Sequence, residues 1–563
     1  MSGLGHIIFL DINLKMKRIT FTAILLFAIF SSGFGETSGS IKKFIEGNAE
    51  GIDYEVDREY LLCSRELRLF YENRFYKPAW FDRNTVSNNA FDLLNYIRQV
   101  NQQGLQPDDY HLYLIEEYFA RILSFAPIDT NDFAKLDVLL TDAFLLLGAH
   151  LYYGKVDPVK EGANWKMQRK DPKLRLDLKL EEALLEHNVD YILNMLAPEY
   201  RSYWRMKEEL AFFLMLDEQS WPVIHSDEAV KPGDSSHIVP IVRERLIKLR
   251  YELSDSISEL FDAELETKLK MFQDDWGLNT DGVIGKTTLE YLNYPPFKLI
   301  GQLKVNMERF RWLPSQMTAT RIIVNIANFR LDLITGTDTL ISMRAVVGME
   351  TRRTPVFNDN MTYIVFSPAW TVPNTILQEE VVPELMKGPE YLKKKNMKLY
   401  RFNGSELAYN DIDWTGISST SFPYMVRQGP GPGNALGRVK FMFPNNYNVY
   451  IHDTPSKQFF ARDARAVSHG CIRVEKPFDL AVLLLSGMPE WSPANIQTAM
   501  QQTKEQTVRL MVPVDVMVIY LTAWTDGKDR VQFRNDVYNN DERVLQALSQ
   551  KPERAGAMAM SLL

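Results

Sequence analysis

The 563-residue chain is poor in thiols and imidazoles, with two cysteines and eight histidines, so it can form at most one disulfide. It also lacks an excess of positive charge. Its net charge is −8, and nothing in its composition points to nucleic acid or to an anionic membrane surface as a partner. Beyond residue 30 no apolar run looks long enough to cross a membrane. The stretch VLLTDAFLLLGA, residues 138–149, contains Asp142 and predicts a buried core helix.

Hydrophobic residues make up 45% of the chain and aromatic residues 12%, which is enough to build large cores. The length predicts roughly three to four domains. At the N-terminus, basic residues precede the apolar run ITFTAILLFAIF and the small-residue stretch SSGFG. This pattern predicts a signal peptide over residues 1–35 and an exported protein of the periplasm or cell envelope, with an uncleaved N-terminal anchor as the alternative.

Residues 45–236 show apolar side chains at helical spacing and predict a helical scaffold domain. No catalytic group of residues stands out there. His111, His150 and His187 are isolated in the sequence, and each is expected to be a core or surface histidine. Cys63 falls among leucines in a helical pattern, so we expect a buried free thiol rather than a disulfide to Cys471.

A turn-rich linker is followed by a small unit over residues 237–295, where the pattern is helix, helix, turn, helix. From about residue 300 to 525 the chain consists of short β-branched runs separated by turns, which predicts a sheet-built domain. An insertion over residues 376–423 begins charged and helical and continues polar and loop-like. It is expected to be either a functional lid or a decorative surface loop. Residues 541–563 predict a helix that fades into a loose tail.

One cysteine and two histidines are concentrated in the stretch IHDTPSKQFFARDARAVSHGCIRV, residues 451–474. A strand ends at His452, and Ser468, His469, Gly470 and Cys471 follow about fifteen residues later. Because a helix is predicted to begin just beyond Cys471, partial positive charge there would lower the thiol pKa. Three interpretations compete: acyl transfer by a Cys–His pair, a zinc site that uses both histidines, Cys471 and Asp453, and a buried thiol with incidental histidines.

A histidine, a spacer of this length and then Ser-His-Gly-Cys together resemble the catalytic signature of the L,D-transpeptidase family. Three further stretches resemble the same family: RAVVGMETRRTP, SPAWTVPNTI and the Gly/Pro-rich RQGPGPGNALGRVKFMFPN. The last of these is interpreted as a rigid wall near the active site. The small helical unit resembles the peptidoglycan-binding three-helix module through Phe272, Gln273, Gly277, Leu278, Asp281, Gly282, Gly285, Thr288 and Leu292. A purely structural spacer is the alternative for that unit.

The resemblance implies a multidomain α+β protein, with a helical scaffold domain, a peptidoglycan-binding module and a β-rich catalytic domain carrying a lid insertion. It implies no metal or organic cofactor, and peptidoglycan tetrapeptide stems as donor and acceptor. Cys471 would be the nucleophile and His452 the proton donor and acceptor. The backbone N–H groups of Gly470 and Cys471 would form the oxyanion hole, and Ser468 and His469 would shape the loop.

Arg473, Asn434 and Tyr450 are the candidate substrate-binding residues. Many family members carry Asn where this chain has Arg473, so Arg473 is expected either to orient a substrate carboxylate or to form a structural salt bridge. Hydrolysis of the same stems by an L,D-carboxypeptidase, and a non-catalytic wall-binding scaffold, are the alternative functions.

Overall fold

The computed structural model describes residues 33–47, 54–82, 85–124, 129–167, 170, 174–217, 219–315 and 317–552. The predicted signal peptide lies almost entirely outside these residues, as does the end of the predicted tail from residue 553. The chain divides into two compact units. The first comprises residues 1–98, 110–147 and 175–192, and the second comprises residues 99–109, 148–174 and 193–563.

The N-terminal region is helical, as its apolar spacing predicts. Its helices are α1 (Gly33–Gly47), α2 (Ser64–Asn73), α3 (Asn88–Arg98), α4 (Leu112–Leu123), α5 (Thr130–Tyr153), α6 (Leu176–Leu185), α7 (Val189–Leu196) and α8 (Arg201–Leu216). Two short hairpins pair β1 (Glu55–Val56) with β2 (Glu59–Tyr60), and β3 (Phe81–Asp82) with β4 (Thr85–Val86).

Helix α5 contains the predicted core segment. Leu139, Leu140, Phe144 and Leu147 on this helix are fully buried, which confirms the prediction. No helix in the described part of the chain is long and apolar enough to cross a membrane.

The small unit forms three helices, α9 (Val239–Lys248), α10 (Ala263–Asp275) and α11 (Lys286–Leu292). The buried Gln273 amide holds its turn closed. The nitrogen donates to Asp281 Oδ1 at 2.9 Å and to Thr288 Oγ1 at 3.2 Å, and the oxygen accepts from the Gly282 amide at 2.8 Å. The residues that carry the resemblance therefore build the fold of the module. Helix α12 (Pro296–Trp312) follows.

The C-terminal region is built on one nine-stranded sheet in the order β15-β7-β16-β14-β13-β8-β17-β5-β6. Its strands are β5 (Thr320–Asn325), β6 (Arg330–Thr335), β7 (Asp338–Gly348), β8 (Phe357–Phe366), β13 (Val439–Met442), β14 (Ile451–His452), β15 (Ala466–Ser468), β16 (Ile472–Val474) and β17 (Gln506–Ile519). Strand β7 pairs with β6 along its first part and with β16 and β15 along its last part. The pairings therefore close the sheet on itself.

The insertion forms a small folded body with its own sheet, in the order β11-β10-β12-β9. Its strands are β9 (Trp370–Thr371), β10 (Met397–Tyr400), β11 (Glu406–Leu407) and β12 (Met425–Gln428), and its helices are α13 (Asn374–Ile376), a π-helical turn (Leu377–Val381), α14 (Val382–Leu385) and α15 (Glu390–Lys394). Ten buried apolar residues form its core, among them Val382, Leu385 and Val426, each fully buried. This corrects the expectation of a loop-like second half, because apolar side chains scattered through that half fold back onto the helices.

Four short elements complete the chain: α16 (Pro477–Leu484), α17 (Pro493–Ala499), the hairpin of β18 (Ala523–Thr525) and β19 (Val531–Phe533), and α18 (Asp541–Ser549). Helix α18 is the start of the predicted tail. It is anchored to α12 by an ion pair between Asp541 Oδ1 and Arg309 Nη2 at 2.6 Å.

Candidate active site

The candidate residues meet on the parallel strand pair β14 and β16. Ile451 lies opposite Ile472 and His452 lies opposite Arg473, while the Ile472 amide donates to the Tyr450 carbonyl at 3.1 Å. Side chains alternate between the faces of a strand. Because both isoleucines are fully buried in the core, Tyr450, His452, Cys471 and Arg473 share the opposite face.

His452 is held as a neutral base. Its Nδ1–H donates to the Asp453 carbonyl at 2.5 Å, and the ring also meets the Leu436 carbonyl. With Nδ1 protonated, the neutral ring carries its lone pair on Nε2. Burial of the ring, together with the nearby positive charge of Arg473, lowers the pKa of His452 to about 3. The imidazole is therefore uncharged at neutral pH and can accept a proton.

Cys471 is half-buried, and burial raises the pKa of its thiol. Two donors from Tyr450 work against this shift, the backbone N–H and the side-chain hydroxyl, as does the charge of Arg473. The expectation of a thiol pKa lowered by a helix N-terminus is wrong, because strand β16 lies between Cys471 and helix α16, which begins at Pro477. The effect of a helix dipole fades within the first turn.

The loop that carries Cys471 is fixed at several points. Ser468 Oγ donates to the Cys471 carbonyl at 2.7 Å and accepts from the Gly470 amide at 3.1 Å. Thr354 Oγ1 donates to the Gly470 carbonyl at 2.8 Å and accepts from the Gly348 amide at 2.9 Å. Gly470 has φ +114°, a conformation that strains any residue with a side chain. These contacts position the thiol and agree with the loop-shaping role predicted for Ser468.

The Gly470 amide was expected to donate to an oxyanion, but it is already engaged by Ser468 Oγ. The Cys471 amide has no acceptor among the residues that the structure describes, so it is the donor left available at the reacting sulfur. Of the two amides predicted to form an oxyanion hole, only that of Cys471 has no acceptor in the described part of the chain.

The Gly/Pro-rich loop packs against the residue after His452. Asp453 Oδ2 accepts from the Arg438 amide at 2.8 Å, and Asp453 Oδ1 accepts from Lys457 Nζ at 2.6 Å. A side chain on Gly437 would lie 2.4 Å from the Asp453 carboxylate, so this approach requires glycine. The loop thereby supports the backbone carbonyl that orients the His452 ring.

Asn434 was predicted to bind substrate, and its contacts correct this. Its side chain is buried, its two N–H groups donate to the Pro368 and Gly429 carbonyls at 3.0 and 2.9 Å, and its oxygen accepts from the Leu436 amide at 2.8 Å. With its hydrogen-bonding groups engaged by backbone, Asn434 braces the loop and has no free polar atom for a substrate.

The insertion touches the catalytic loop through two consecutive acids on its π-helical turn. Glu380 Oε1 lies 2.8 Å from His469 Nε2, and Glu379 forms an ion pair with Arg352. Both acids lie on the π-helical turn, and π turns of this kind recur at functional sites. The acidic start of the insertion, which suggested exposure to solvent, is therefore in contact with the catalytic domain.

Comparison with protein-family models assigns the three regions. Residues 319–496 match the L,D-transpeptidase catalytic domain. Residues 236–292 match a peptidoglycan-binding domain, and residues 65–210 match a scaffold domain. The predicted fold class is confirmed, and domains that act on peptidoglycan indicate a protein of the cell envelope.

One relative and two solved structures are similar to parts of this chain. A Haemophilus influenzae protein named "Putative L,D-transpeptidase" is 32% identical over 243 residues, which cover 43% of this chain and 48% of that protein. The match thus spans about half of the relative. Solved L,D-transpeptidases from Mycobacterium smegmatis and Stackebrandtia nassauensis are 14% and 12% identical, with TM-scores of 0.17 and 0.21. The matches cover 36% and 53% of this chain, and 59% and 97% of those structures. At these scores they carry no argument about this chain.

Arg473 lies on the same face of the sheet as His452 and Cys471. Burial lowers its pKa, its Nε has no hydrogen-bond partner among the described residues, and its guanidinium lies 5.8 Å from the Phe459 ring centroid. Within the described part of the chain no carboxylate comes within ion-pair distance of it, but the charge of Glu380 acts on it from farther away.

The zinc interpretation finds no support in this geometry. In the described ranges no three His, Cys, Asp or Glu side chains are grouped so as to hold a metal ion. The Asp453 carboxylate is used by backbone amides and by Lys457, and His469 faces Glu380. Both cysteines are free, as predicted.

Several residues of the site gave no signal of their role in the sequence. Thr354 was part of the family-like stretch, but its bond to the Gly470 carbonyl depends on a contact between residues more than a hundred positions apart. Trp370 hydrogen-bonds the Tyr450 hydroxyl, and Glu380 reaches His469 from the insertion. Only the fold brings these residues to the site.

Proposed function

We propose that the protein is a cysteine-dependent L,D-transpeptidase that cross-links peptidoglycan stems through a thioester at Cys471. The observation that supports this most directly is the register of β14 and β16, which places a neutral His452 and Cys471 on the same face of two paired strands. A general base of this kind must be in reach of the proton that it removes.

In the proposed reaction the Cys471 sulfur attacks the carbonyl that joins the third stem residue, a diamino acid, to the terminal D-alanine. The thiol proton passes to His452 Nε2, and the negative charge on the carbonyl oxygen meets the Cys471 amide. When the tetrahedral intermediate collapses, the C–N bond breaks and His452 returns the proton to the departing amine of D-alanine. This leaves a thioester and free D-alanine.

An amine from a second stem then attacks the thioester. His452 accepts the proton of this amine, the C–S bond breaks, and the thiol is restored with a new amide between two third residues. The raised thiol pKa and lowered histidine pKa imply that the pair is neutral at rest, so proton transfer accompanies attack. Tyr450 assists by donating to the developing thiolate, and Arg473 is suited to bind a carboxylate of the stem.

The remaining domains fit this activity. The peptidoglycan-binding module would keep the enzyme on its polymeric substrate and raise the effective concentration of stems. The insertion would cover the site as a lid and help to position a large substrate. Work on peptidoglycan stems places the protein outside the cytoplasm, which agrees with the signal peptide predicted from the sequence.

The test is mass analysis of the products from a purified tetrapeptide stem, with the wild-type protein and with Cys471→Ala. Cross-linked dimer that has lost one D-alanine supports the proposal. Tripeptide without dimer would instead identify an L,D-carboxypeptidase, in which water resolves the thioester. Neither product, together with no acyl-enzyme, would leave a wall-binding scaffold.

A further inference from the structure

The peptidoglycan-binding module borders a cavity of about 410 Å³ that plays no part in the catalytic site. This volume is within the range of small-ligand sites, about 300–1,000 Å³. The cavity lies between the end of the module, helix α12, the strand β19 and the start of helix α18. The family-like residues of the module do not line it, because they hold the module's own turn.

Aromatic rings dominate the wall of this cavity. Trp276 and Phe533 are buried, with ring centroids 4.9 Å apart. Tyr291 and Tyr294 are half-buried and stacked, with an interplanar angle of 14°. Phe297 is 58% exposed at the opening. Partly accessible rings beside a cavity offer flat apolar faces, and pyranose rings pack their C–H faces on such surfaces.

The polar groups of the cavity are balanced in charge. The Arg534 side chain is already bonded to Asn328 Oδ1 and to the Asp275 carbonyl, and Asp541 is paired with Arg309. Lys298 and Glu542 are exposed at the opening, and the half-buried Asp536 also lines the cavity, where its carboxylate accepts from the Tyr520 hydroxyl and the Asp541 amide. A site for an anionic stem peptide would show an excess of cations, and this one does not.

Hydrogen-bonding groups are nevertheless present at the rim. Tyr291 donates its hydroxyl proton to Asn535 Oδ1 at 2.5 Å, which leaves the exposed Asn535 amide nitrogen able to donate outward. Lys298 Nζ lies 5.0 Å from the Tyr294 ring centroid, beside the same opening. Aromatic faces with a few polar groups and no net charge are typical of a site for a neutral ligand rich in hydroxyl groups.

We propose that this cavity binds the glycan strand, as a site for one or two neutral N-acetylhexosamine units. The inference rests on the proposed function only in taking peptidoglycan as the polymer, since the module matches a peptidoglycan-binding domain but its binding site is unassigned. The cavity would hold the sugar backbone, while the stems that branch from it remain free to reach Cys471.

The test uses the full chain with Cys471→Ala, so that no turnover disturbs the binding measurement. The probes are a peptide-free tetramer of N-acetylglucosamine and a sugar-free tetrapeptide stem, each titrated to millimolar concentration by calorimetry. We expect the sugar to bind, Tyr294→Ala and Phe297→Ala each to weaken it at least tenfold, and Tyr294→Phe to preserve it because the ring remains. Tyr113→Ala, which removes a 74% exposed tyrosine from the helical region, is the matched control.

Absence of sugar binding by the parent protein, or binding unchanged by both alanine variants, would overturn the proposal. Loss of stem-peptide binding in those variants, with sugar binding intact, would make the cavity a peptide site and would also overturn it. In the active chain, Tyr294→Ala should keep its rate of cross-linking on soluble stems. A failure of the catalytic proposal would instead appear as no acyl-enzyme while sugar binding persists, so the two ideas fail separately.

Discussion

The chain places a cysteine near a histidine and an aspartate twice, and the two regions behave differently. In the helical region, Asp142 accepts from the Cys63 amide at 2.6 Å and from His111 Nε2 at 2.8 Å. In the catalytic domain, Cys471 and His452 share one face of two strands. The same residue types thus build a buried structural cluster in one place and a candidate catalytic pair in the other.

The two histidines differ in whether a ring nitrogen keeps a lone pair that can accept a proton. Both ring nitrogens of His111 meet carboxylates, since Nδ1 lies 2.8 Å from Glu59 Oε1. Burial alone would lower the pKa of His111, but the hydrogen bonds and charges of Asp142 and Glu59 outweigh it and raise the pKa to about 9. His111 is therefore a charged link with no free lone pair, whereas His452 is neutral and has one.

The two thiols should differ most in reactivity. We expect Cys471→Ala to abolish formation of a stable thioester adduct with a carbapenem, whose strained carbonyl is open to the same attack. Cys63→Ala should leave the adduct intact, because Cys63 is fully buried and burial keeps the pKa of its thiol high. Intact-protein mass spectrometry reads the added inhibitor mass, and an adduct on the Cys471→Ala protein would refute the assignment.

Removing the base should cost less than removing the nucleophile. His452→Ala should slow acylation by about 10²- to 10⁴-fold through loss of the proton acceptor. His469→Ala should slow it less than tenfold, since this ring faces Glu380. Stopped-flow acylation rates measure both variants, and the reverse order of effects would exchange the two roles.

Substitution of His111 should change the free energy of unfolding and leave the acylation rate unchanged. His111→Gln leaves two carboxylates facing each other and should lower the free energy of unfolding by about 3 kcal/mol, with no change in acylation rate. Because the folded pKa of His111 is raised, its stabilising contribution is complete below the unfolded pKa of 6.5 and is lost as pH rises through about 9.

Denaturant midpoints at pH 6 and pH 10 test this linkage, with the variant as reference for other titrating groups. The gap between wild type and His111→Gln should shrink at pH 10. A constant gap would mean that His111 is not the titrating group.

Loss of the contact between the insertion and the catalytic loop should have a modest effect on the turnover of stem peptides. Glu380→Gln weakens a partly exposed hydrogen bond to His469, whose pKa is lowered by burial, and such a bond is worth about 0.5–1.5 kcal/mol. Turnover of stem peptides should fall about two- to fivefold while carbapenem acylation is unchanged, since the larger substrate needs the lid for positioning.

Glu384→Gln is the matched control, because Glu384 pairs with Lys387 inside the same insertion. Equal loss in both variants would assign the insertion a supporting role only. Point substitution is sharper than deletion of residues 376–423, because the insertion's core also includes Val372 and Val426, and a deletion would expose both.

The smallest expected effect is that of pH on the acylation rate, which should not change. With the pKa of His452 at about 3 and that of Cys471 raised, neither group titrates between pH 5 and 8. The carbapenem acylation rate should stay level across this range. A fall in rate centred near pH 6.5 would show that His452 keeps an ordinary pKa.

Patterns local to the chain were enough to predict much of this molecule. Helical spacing predicted the N-terminal helices, the short runs rich in β-branched residues predicted the sheet, and the residues around Cys471 predicted the site. These features depend on residues that are close in sequence, or on a motif whose members are consecutive.

Features that depend on distant contacts were not predicted. His111 has no partner nearby in the sequence, yet it joins Glu59 and Asp142 once three separate segments fold together. Asn434 was a candidate for substrate binding, but its amide closes the Gly/Pro-rich loop upon itself. The predicted lowering of the Cys471 pKa was wrong because strand β16 separates the thiol from the helix.

Strand β7 has a consequence for the order in which the protein acquires activity. It pairs with β15 before the nucleophile and with β16 after it, so both ends of the Ser468–Cys471 loop are fastened to one strand made more than a hundred residues earlier. Contacts so far apart in sequence form slowly. A chain that is still folding cannot present a positioned thiol until residue 474 has joined the sheet. The reactive sulfur therefore becomes competent only in a molecule whose catalytic domain is already assembled.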